Sequence, residues 1–190
     1  MNAHVLVTGG AGYLGSILSE RLLDAHFRLT VVDNLMYQQC NLFHLCANQE
    51  FEFVFGDARD ERFMRPLVEQ ADVIIPLAAV VGAPACDRDP SLATSVNLEA
   101  VRLINRLRSP RQIVIYPTTN SGYGTQSGDL FCTEDTPLEP ISLYGQTKTR
   151  AEEELLQTPN VITLRLATVF GVSPRMRLDL LVNHFVYAAI

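Results

Sequence analysis

A tyrosine and a lysine stand four residues apart in the stretch LYGQTK, residues 143–148. On a helix, residues i and i+4 lie on one face, so the phenol of Tyr144 and the ammonium of Lys148 would point the same way. A cation beside a phenol favours the phenolate and lowers a pKa that is otherwise about 10. The pair could therefore act as a base near neutral pH, although a tyrosine and a lysine that only share a solvated helix face fit the same spacing.

A glycine-rich turn near the N-terminus is the second stretch that could do chemistry. The segment HVLVTGGAGYLGS places Gly10, Gly12 and Gly15 in the pattern G-x-G-x-x-G, between a strand-like and a helix-like run. Such a turn lets the backbone approach the diphosphate of a dinucleotide at a helix N-terminus. Asp33 ends the next strand-like run, where a carboxylate would bind the adenosine ribose hydroxyls and repel a 2′-phosphate. These features predict a site for NAD rather than NADP.

The ends of two further strand-like runs extend the predicted cofactor site. Asp57 and Ala58 follow the third run, and Asp57 could bind the adenine amino group. Leu77, Ala78 and Ala79 follow the fourth run, where small residues let a cofactor lie across the sheet edge. Each of these residues would also fit an ordinary loop.

Six short β-branched runs alternate with longer amphipathic segments along the chain. The runs are apolar on both faces, which is typical of strands in a covered parallel sheet. The alternation predicts a doubly wound parallel α/β sheet, the Rossmann fold. A loop rich in Gly, Thr, Asp and Pro, residues 122–140, leads to the helix of Tyr144. The strand-like runs are residues 4–8, 28–33, 51–55, 72–76, 112–116 and 161–166, and the helix-like segments are residues 12–26, 60–70, 90–108 and 144–157.

Composition excludes several other classes of protein. With 190 residues, 47% hydrophobic content and a net charge of −6, the chain predicts a globular protein without the basic patches that bind nucleic acid. The longest uncharged apolar stretch, residues 73–86, is short and interrupted by proline and glycine, so no membrane span is expected. No secretory signal is visible, and we expect a cytoplasmic protein. The four cysteines lack C-x-x-C spacing and the four histidines are scattered, so we expect reduced thiols and no metal site.

Together these motifs resemble the extended short-chain dehydrogenase/reductase family, the NAD-dependent epimerases and dehydratases that act on nucleotide sugars. The resemblance implies that Tyr144 and Lys148 are the catalytic pair, that Thr119 is the third catalytic residue with Thr118 as the weaker candidate, and that the cofactor is NAD. It rests on TGGAGYLG with Gly9, Gly12, Tyr13, Leu14 and Gly15, on Asp33 with Asn34, on Gly56 with Asp57, on LAA at 77–79, on SVNLEA with Asn97, and on TTNSGYG, YGQTK and LRLATVFG.

The resemblance also implies a mechanism. Tyr144 would take a proton from a sugar hydroxyl while hydride passes to the nicotinamide, and Lys148 would lower the phenol pKa and hold the nicotinamide ribose. Asn97 would help to order the cofactor site, although it could equally be exposed on the helix over 90–108. Pro117 stands where many relatives have a serine close to the nicotinamide, so one cofactor contact is expected to be missing.

One departure from the family narrows the expected reaction. The 4,6-dehydratases of the family carry an Asp-Glu pair after the catalytic threonine, whereas this chain has Asn120 and Ser121, which are poor acids and bases. Epimerisation or another oxidation and reduction of a nucleotide sugar is therefore expected instead of dehydration. A non-catalytic NAD-binding sensor or scaffold is the alternative, which the retention of Thr119, Tyr144 and Lys148 disfavours.

The C-terminal part of the chain is expected to face the substrate. Arg175 and Arg177 would bind the substrate diphosphate. Residues 1–172 are expected to form the NAD-binding domain, and residues 173–190 to begin a substrate-binding lobe that this chain largely lacks. Residues 178–190 form an apolar helical stripe that needs a partner, so we expect a longer functional chain. The resemblance also implies a homodimer paired through helices at about 94–108 and 144–157. Part of its surface could come from apolar positions that burial against the chain's own sheet explains equally well: Val101, Ile104, Leu107, Ala151 and Leu155.

Overall fold

A six-stranded parallel sheet forms the centre of the molecule. The computed structural model describes residues 2–38, 40–125 and 131–190. The strand order is β3-β2-β1-β4-β5-β6, and every neighbouring pair is parallel. This is the order of the dinucleotide-binding doubly wound sheet, so the predicted Rossmann fold is confirmed. The strands are β1 (His4–Thr8), β2 (Arg28–Asp33), β3 (Phe51–Phe55), β4 (Val73–Pro76), β5 (Ile113–Thr119) and β6 (Val161–Leu166).

Helices cover both faces of this sheet. One face packs Val5, Val7 and Val31 with Leu23 of the first helix, and the other packs Leu6 and Ile74 with residues of the second, fifth and sixth helices. Because both faces are covered, the strands consist of nearly continuous apolar runs. The helices are α1 (Tyr13–Asp24), α2 (Glu61–Gln70), α3 (Ala83–Arg88), α4 (Pro90–Thr94), α5 (Ala100–Leu107), α6 (Leu143–Leu156) and α7 (Leu181–Ala188), with short 3-10 turns at Phe43–Leu45 and Asn120–Tyr123.

The helix predicted over residues 90–108 is helical throughout but is not one α-helix. Its first turn, α4, is capped by the side chain of Asp89, which accepts a hydrogen bond from the Leu92 amide. A π-helical turn over Ser95–Glu99 then separates α4 from α5. Such widened turns occur often at functional sites, because they rotate the side chains that follow.

The apolar positions expected to pair two subunits lie in the core of one subunit. Val101, Ile104, Ala151 and Leu155 are each at most 3% exposed and belong to the cluster under α2, α5 and α6, and Leu107 packs against it. Of the two explanations that the sequence left open, the structure therefore supports burial against the chain's own sheet. Between α5 and α6 the outer contacts are ionic, with the Arg102 guanidinium paired to Glu154 and Glu99.

The predicted C-terminal stripe forms α7, which is shorter than expected. The helix begins at Leu181 because Leu180 has an extended backbone. Leu181, Phe185 and Val186 are each about 60% exposed, so the stripe is largely uncovered here.

No helix in the described ranges is long and apolar enough to cross a membrane. The predicted loop over 122–140 falls partly on residues 126–130, which lie outside the described residues.

Candidate functional site

A cavity of about 390 Å³ opens at the carboxyl ends of the strands. It lies where the strand order reverses between β1 and β4, the place at which open α/β sheets bind their ligands. Every predicted site residue except Asn97 lines it: Gly9, Gly12, Tyr13, Leu14, Gly15, Asp33, Asn34, Asp57, Ala58, Leu77, Ala78, Ala79, Thr119, Tyr144, Lys148, Arg175 and Arg177. The structure thus brings the glycine turn and the Tyr-Lys pair into one cavity.

The glycine turn is packed so tightly that it has no room for side chains. Gly9 has a φ of +72°, and a Cβ there would lie 2.5 Å from the amide nitrogen of Ala78. A Cβ on Gly15 would lie 2.6 Å from the Cα of Gly10. Gly12 precedes α1, whose N-terminus is capped by no side chain in the described part of the chain. The positive end of the α1 dipole is therefore left for a ligand with negative charge.

The carboxylate of Asp33 closes the turn from β2. It accepts hydrogen bonds from the amides of Ala11, at 3.0 Å, and Leu35, at 2.8 Å. Burial raises the pKa of Asp33, and those two hydrogen bonds and the charge of Arg175 oppose this rise. Each oxygen keeps lone pairs for further donors, as a ribose-binding carboxylate requires. Beside it, Asn34 accepts a hydrogen bond from the Met36 amide.

Asp57 is already engaged by a cation. The guanidinium of Arg59 donates to both of its carboxylate oxygens, at 2.6 to 3.1 Å, and also to the Ser95 hydroxyl at 3.0 Å. The hydrogen bond from Arg59 is the main reason that the pKa of Asp57 lies below its usual range. Asp57 can bind an adenine amino group only alongside this pair. Arg59 was not predicted as a site residue, although it lines the same cavity.

Asn97 is buried behind the cavity wall. It is 1% exposed, so the alternative of an exposed helical residue is wrong. Its amide accepts from the Val80 N–H at 2.8 Å and donates to the Val80 carbonyl at 3.0 Å. Since Val80 lines the cavity and follows Leu77–Ala79, the structure places Asn97 as a support for that loop and not as a lining residue.

Lys148 is buried in the cavity wall and poorly solvated. Its Nζ donates to the carbonyl oxygen of Pro117 at 2.8 Å and lies 3.9 Å from the ring centroid of Tyr116. Burial lowers the pKa of Lys148 to about 7, while the nearby Glu152 acts in the opposite direction. Glu152 itself is 2% exposed and pairs with Arg165 at 2.8 Å. At neutral pH, the charged and neutral forms of Lys148 are therefore both populated.

The Tyr144 phenol does not show the lowered pKa expected from its spacing to Lys148. Burial and the nearby Cys86 raise the pKa of Tyr144, while the Thr119 hydroxyl and the charge of Arg177 lower it. The physical reason is that burial disfavours charge on the amine as well, so that Lys148 is a weak cation here.

Two threonine hydroxyls at the end of β5 are the candidates for the predicted third catalytic residue. The Thr119 hydroxyl donates to the Ser121 hydroxyl at 3.1 Å and accepts from the Ser121 amide at 3.1 Å. The Thr118 hydroxyl is buried and has no hydrogen-bond partner among the described residues. Both threonines line the cavity, together with Asn120 and Ser121.

The two predicted substrate arginines reach the cavity at different places. The guanidinium of Arg175 lies 4.2 Å from the ring centroid of Tyr37, on the side of Asp33. The guanidinium of Arg177 is held by both carboxylate oxygens of Asp179, and it lies close enough to Tyr144 to lower its pKa. Only Arg177 is therefore placed near the Tyr-Lys pair.

Several lining residues had not been predicted. Leu166 ends β6 and residues 167–169 follow it, so the rule that strand ends form the site would have found them. No sequence pattern would have identified Tyr37 as a lining residue, because it lies in an irregular loop after β2.

Comparisons with known proteins show the family of this chain. Residues 5–190 match the family model described as NAD dependent epimerase/dehydratase family. A probable UDP-arabinose 4-epimerase of Oryza sativa is 33% identical over 92% of this chain and 45% of its own length. A UDP-glucose 4-epimerase of Mycolicibacterium smegmatis is 34% identical over 84% of this chain and 52% of its own.

A solved structure is similar over almost the whole chain. The dTDP-glucose 4,6-dehydratase of Streptomyces venezuelae, with NAD bound, superposes with a TM-score of 0.86 at 26% identity, over 98% of this chain and 62% of its own. This chain spans about half the length of the curated relatives that it matches.

Proposed function

Because this chain belongs to the NAD dependent epimerase/dehydratase family, we propose that it binds NAD and that the protein epimerises a nucleotide sugar by hydride transfer at a ring carbon. The observation that carries the proposal is the single cavity that joins the glycine turn to Tyr144 and Lys148. A hydride donor and a proton-transferring side chain must reach the same sugar carbon, so the two halves of the site have to meet.

The residues present fit a dinucleotide. The glycine turn packs so closely that a Cβ at Gly9 or Gly15 would collide with neighbouring backbone, and the uncapped start of α1 favours a diphosphate. Asp33 would accept hydrogen bonds from the adenosine ribose, and its negative charge favours NAD over NADP. Leu77, Ala78 and Ala79 would pack against the cofactor.

NAD, when bound, supplies the acceptor and donor of hydride. The phenolate of Tyr144 would take the proton of the reacting sugar hydroxyl, and the Thr119 hydroxyl would hold the same oxygen by a hydrogen bond. Because burial raises the pKa of Tyr144, the phenolate needs a cation nearby. Of the cations that line the cavity, the protonated form of Lys148 and the guanidinium of Arg177 are the ones placed near Tyr144.

The side chains after Thr119 favour epimerisation over dehydration. Elimination of water needs an acid and a base near the reacting carbon, and Asn120 and Ser121 supply neither. Among the described lining residues, the carboxylates are Asp33 and Asp57. They follow β2 and β3, which β1 and β4 separate from the β5 end that carries Thr119.

A proton-transfer variant tests the proposal directly. The protein is incubated with NAD and with UDP-arabinose or UDP-glucose in deuterated water, and the 4-epimer is followed by NMR. Wild type should form the epimer without incorporating solvent deuterium at the ring carbon, since the hydride returns from the cofactor. Tyr144→Phe should lower the rate by about 10²-fold or more, while Tyr187→Phe, at an exposed position on α7, should leave it unchanged.

Two outcomes would contradict parts of the proposal. Equal turnover by wild type and Tyr144→Phe would refute Tyr144 as the base. Tight NAD binding without any turnover of nucleotide sugars would favour the non-catalytic sensor or scaffold.

We further propose that residues 1–172 form the NAD-binding unit, that residues 173–190 begin the substrate-binding part, and that Arg177 binds the substrate diphosphate. A cytoplasmic homodimer is part of this proposal. Its pairing surface would have to use the outer, ion-paired faces of α5 and α6, since the apolar faces of both helices are buried in the core. Light scattering that shows a monomer at micromolar concentration would rule out a stable pair.

A further inference from the structure

A strap formed by residues 171–177 crosses from the end of β6 back to the glycine turn. The Tyr13 hydroxyl donates to the Gly171 carbonyl at 2.6 Å, and the Ser173 hydroxyl donates to the Tyr13 carbonyl at 2.7 Å. The hydroxyls of Ser16 and Ser173 lie 3.0 Å apart and are buried. Tyr13 and Ser16 belong to the first turns of α1. The strap is therefore fixed to the end of the helix that faces the diphosphate cradle.

Arg175 is placed by this strap on the cofactor side of the cavity. Its amide donates to the Ser173 hydroxyl at 3.2 Å, so it follows directly on the anchored residue. Its guanidinium lies over Tyr37, and its charge acts on Asp33. Asp33 ends β2 and Tyr37 lies in the loop after it, whereas Tyr144 lies on α6, which packs against β5 and β6 on the other side of β1 and β4.

The Arg175 side chain keeps hydrogen-bonding capacity in this position. Its Nε is buried and has no hydrogen-bond partner among the described residues. A buried donor without a partner costs free energy, which a bound acceptor would recover. The start of α1, to which the strap is tied, carries positive dipole charge and no acidic residue in its first turn. The Arg175 guanidinium lines the same cavity as this helix end, and a guanidinium can bind a phosphate through two parallel hydrogen bonds.

We propose that Arg175 binds the diphosphate of the dinucleotide cofactor, and not the diphosphate of the sugar substrate as its sequence position suggested. This inference rests on the proposed function, because it assumes that a dinucleotide occupies the glycine-turn half of the cavity. The strap then places Arg175 at the cofactor diphosphate and Arg177, two residues further along, near Tyr144 and Lys148.

Calorimetric titrations with three ligands test this assignment. NAD and ADP-ribose both contain the cofactor diphosphate, and UDP contains the substrate diphosphate. Arg175→Gln should weaken NAD and ADP-ribose binding by about tenfold, the loss expected for one charge-assisted contact. The same variant should change the Kd of UDP by less than about twofold. Arg21→Gln, at an exposed position on α1 outside the cavity, is the matched control and should leave the Kd of NAD unchanged.

The outcomes separate this inference from the proposed function. If wild type binds neither NAD nor ADP-ribose, the proposed function itself fails. If wild type binds NAD and Arg175→Gln binds it equally well, or loses UDP more than NAD, the assignment of Arg175 is overturned. Thermal unfolding without ligand shows whether Arg175→Gln is folded. If it is not folded, Arg175→Lys is tested instead, because lysine keeps the positive charge but lacks the planar guanidinium. This variant should weaken NAD binding by about threefold. An unchanged Kd of NAD would refute the assignment.

Discussion

Replacing Lys148 by methionine should remove a pH dependence from the stability of the folded chain. The amine is buried, and its pKa falls from 10.5 to about 7 on folding. Between these two values the unfolded chain carries a proton that the folded chain does not. The free energy of unfolding therefore rises with pH, by up to about 1.4 kcal/mol per pH unit.

The size of this effect follows from the two pKa values. At pH 7 the folded amine is about half protonated, so the gain in stability between pH 7 and pH 9 is about 2 kcal/mol. The sign is opposite to that of a lysine stabilised by an ion pair, whose contribution is lost as the pH rises. The buried Glu152 limits the fall of the Lys148 pKa, while the phenols of Tyr144 and Tyr116 titrate above the ordinary range and contribute little below pH 9.

Urea unfolding at pH 7, 8 and 9 measures the slope, with reductant present because all four cysteines are free. Wild type should gain about 2 kcal/mol over this range, and Lys148→Met should gain much less. Lys148 is the only lysine of the chain, so ¹³Cε-labelled lysine gives a single side-chain signal and reports its pKa directly. A lysine signal that titrates above pH 10 in the folded protein would refute the reasoning, as would equal slopes for the two proteins.

Two further substitutions test how the cavity wall is supported. Asn97→Leu removes both hydrogen bonds to the Val80 backbone, and it should lower the free energy of unfolding by about 2–4 kcal/mol in urea titrations; a loss below about 1 kcal/mol would show that the amide does not support the loop. Gly9→Ala drives a Cβ to 2.5 Å from the Ala78 amide, and should weaken NAD binding at least about tenfold by calorimetry. Gly82→Ala is the control, because Gly82 has a φ of +89° but only the Pro84 ring, at 3.9 Å, near the new Cβ, and it does not line the cavity. It should bind NAD like wild type, and equal affinity in all three proteins would contradict the close-packed cradle.

Much of the fold was predictable because its signals are local. Four strands match the predicted runs to the residue and β4 starts one residue later, since a strand covered on both faces must be apolar throughout, and turn residues bound each run. β5 instead extends three residues beyond its predicted end, to Thr119. The break at Ser95–Glu99 was not predicted, because a π-turn adds one residue to a helix without changing its composition. The burial of Val101 and Ala151 was also undecided, since an apolar helical face packs equally well on a sheet or on a second subunit.

The candidate site also has features that the sequence predicted and features that it did not. The amino-acid sequence alone determined the glycine turn, Asp33 and the i, i+4 spacing of Tyr144 and Lys148, because backbone conformation and helix periodicity are properties of short segments. Only the tertiary structure decided that Lys148 is too buried to be a strong cation, that Asp57 is paired with Arg59, and that the strap carries Arg175 to the cofactor side. Charge state and placement depend on what lies within a few ångströms in space, and in this fold those neighbours come from strands far apart in the chain.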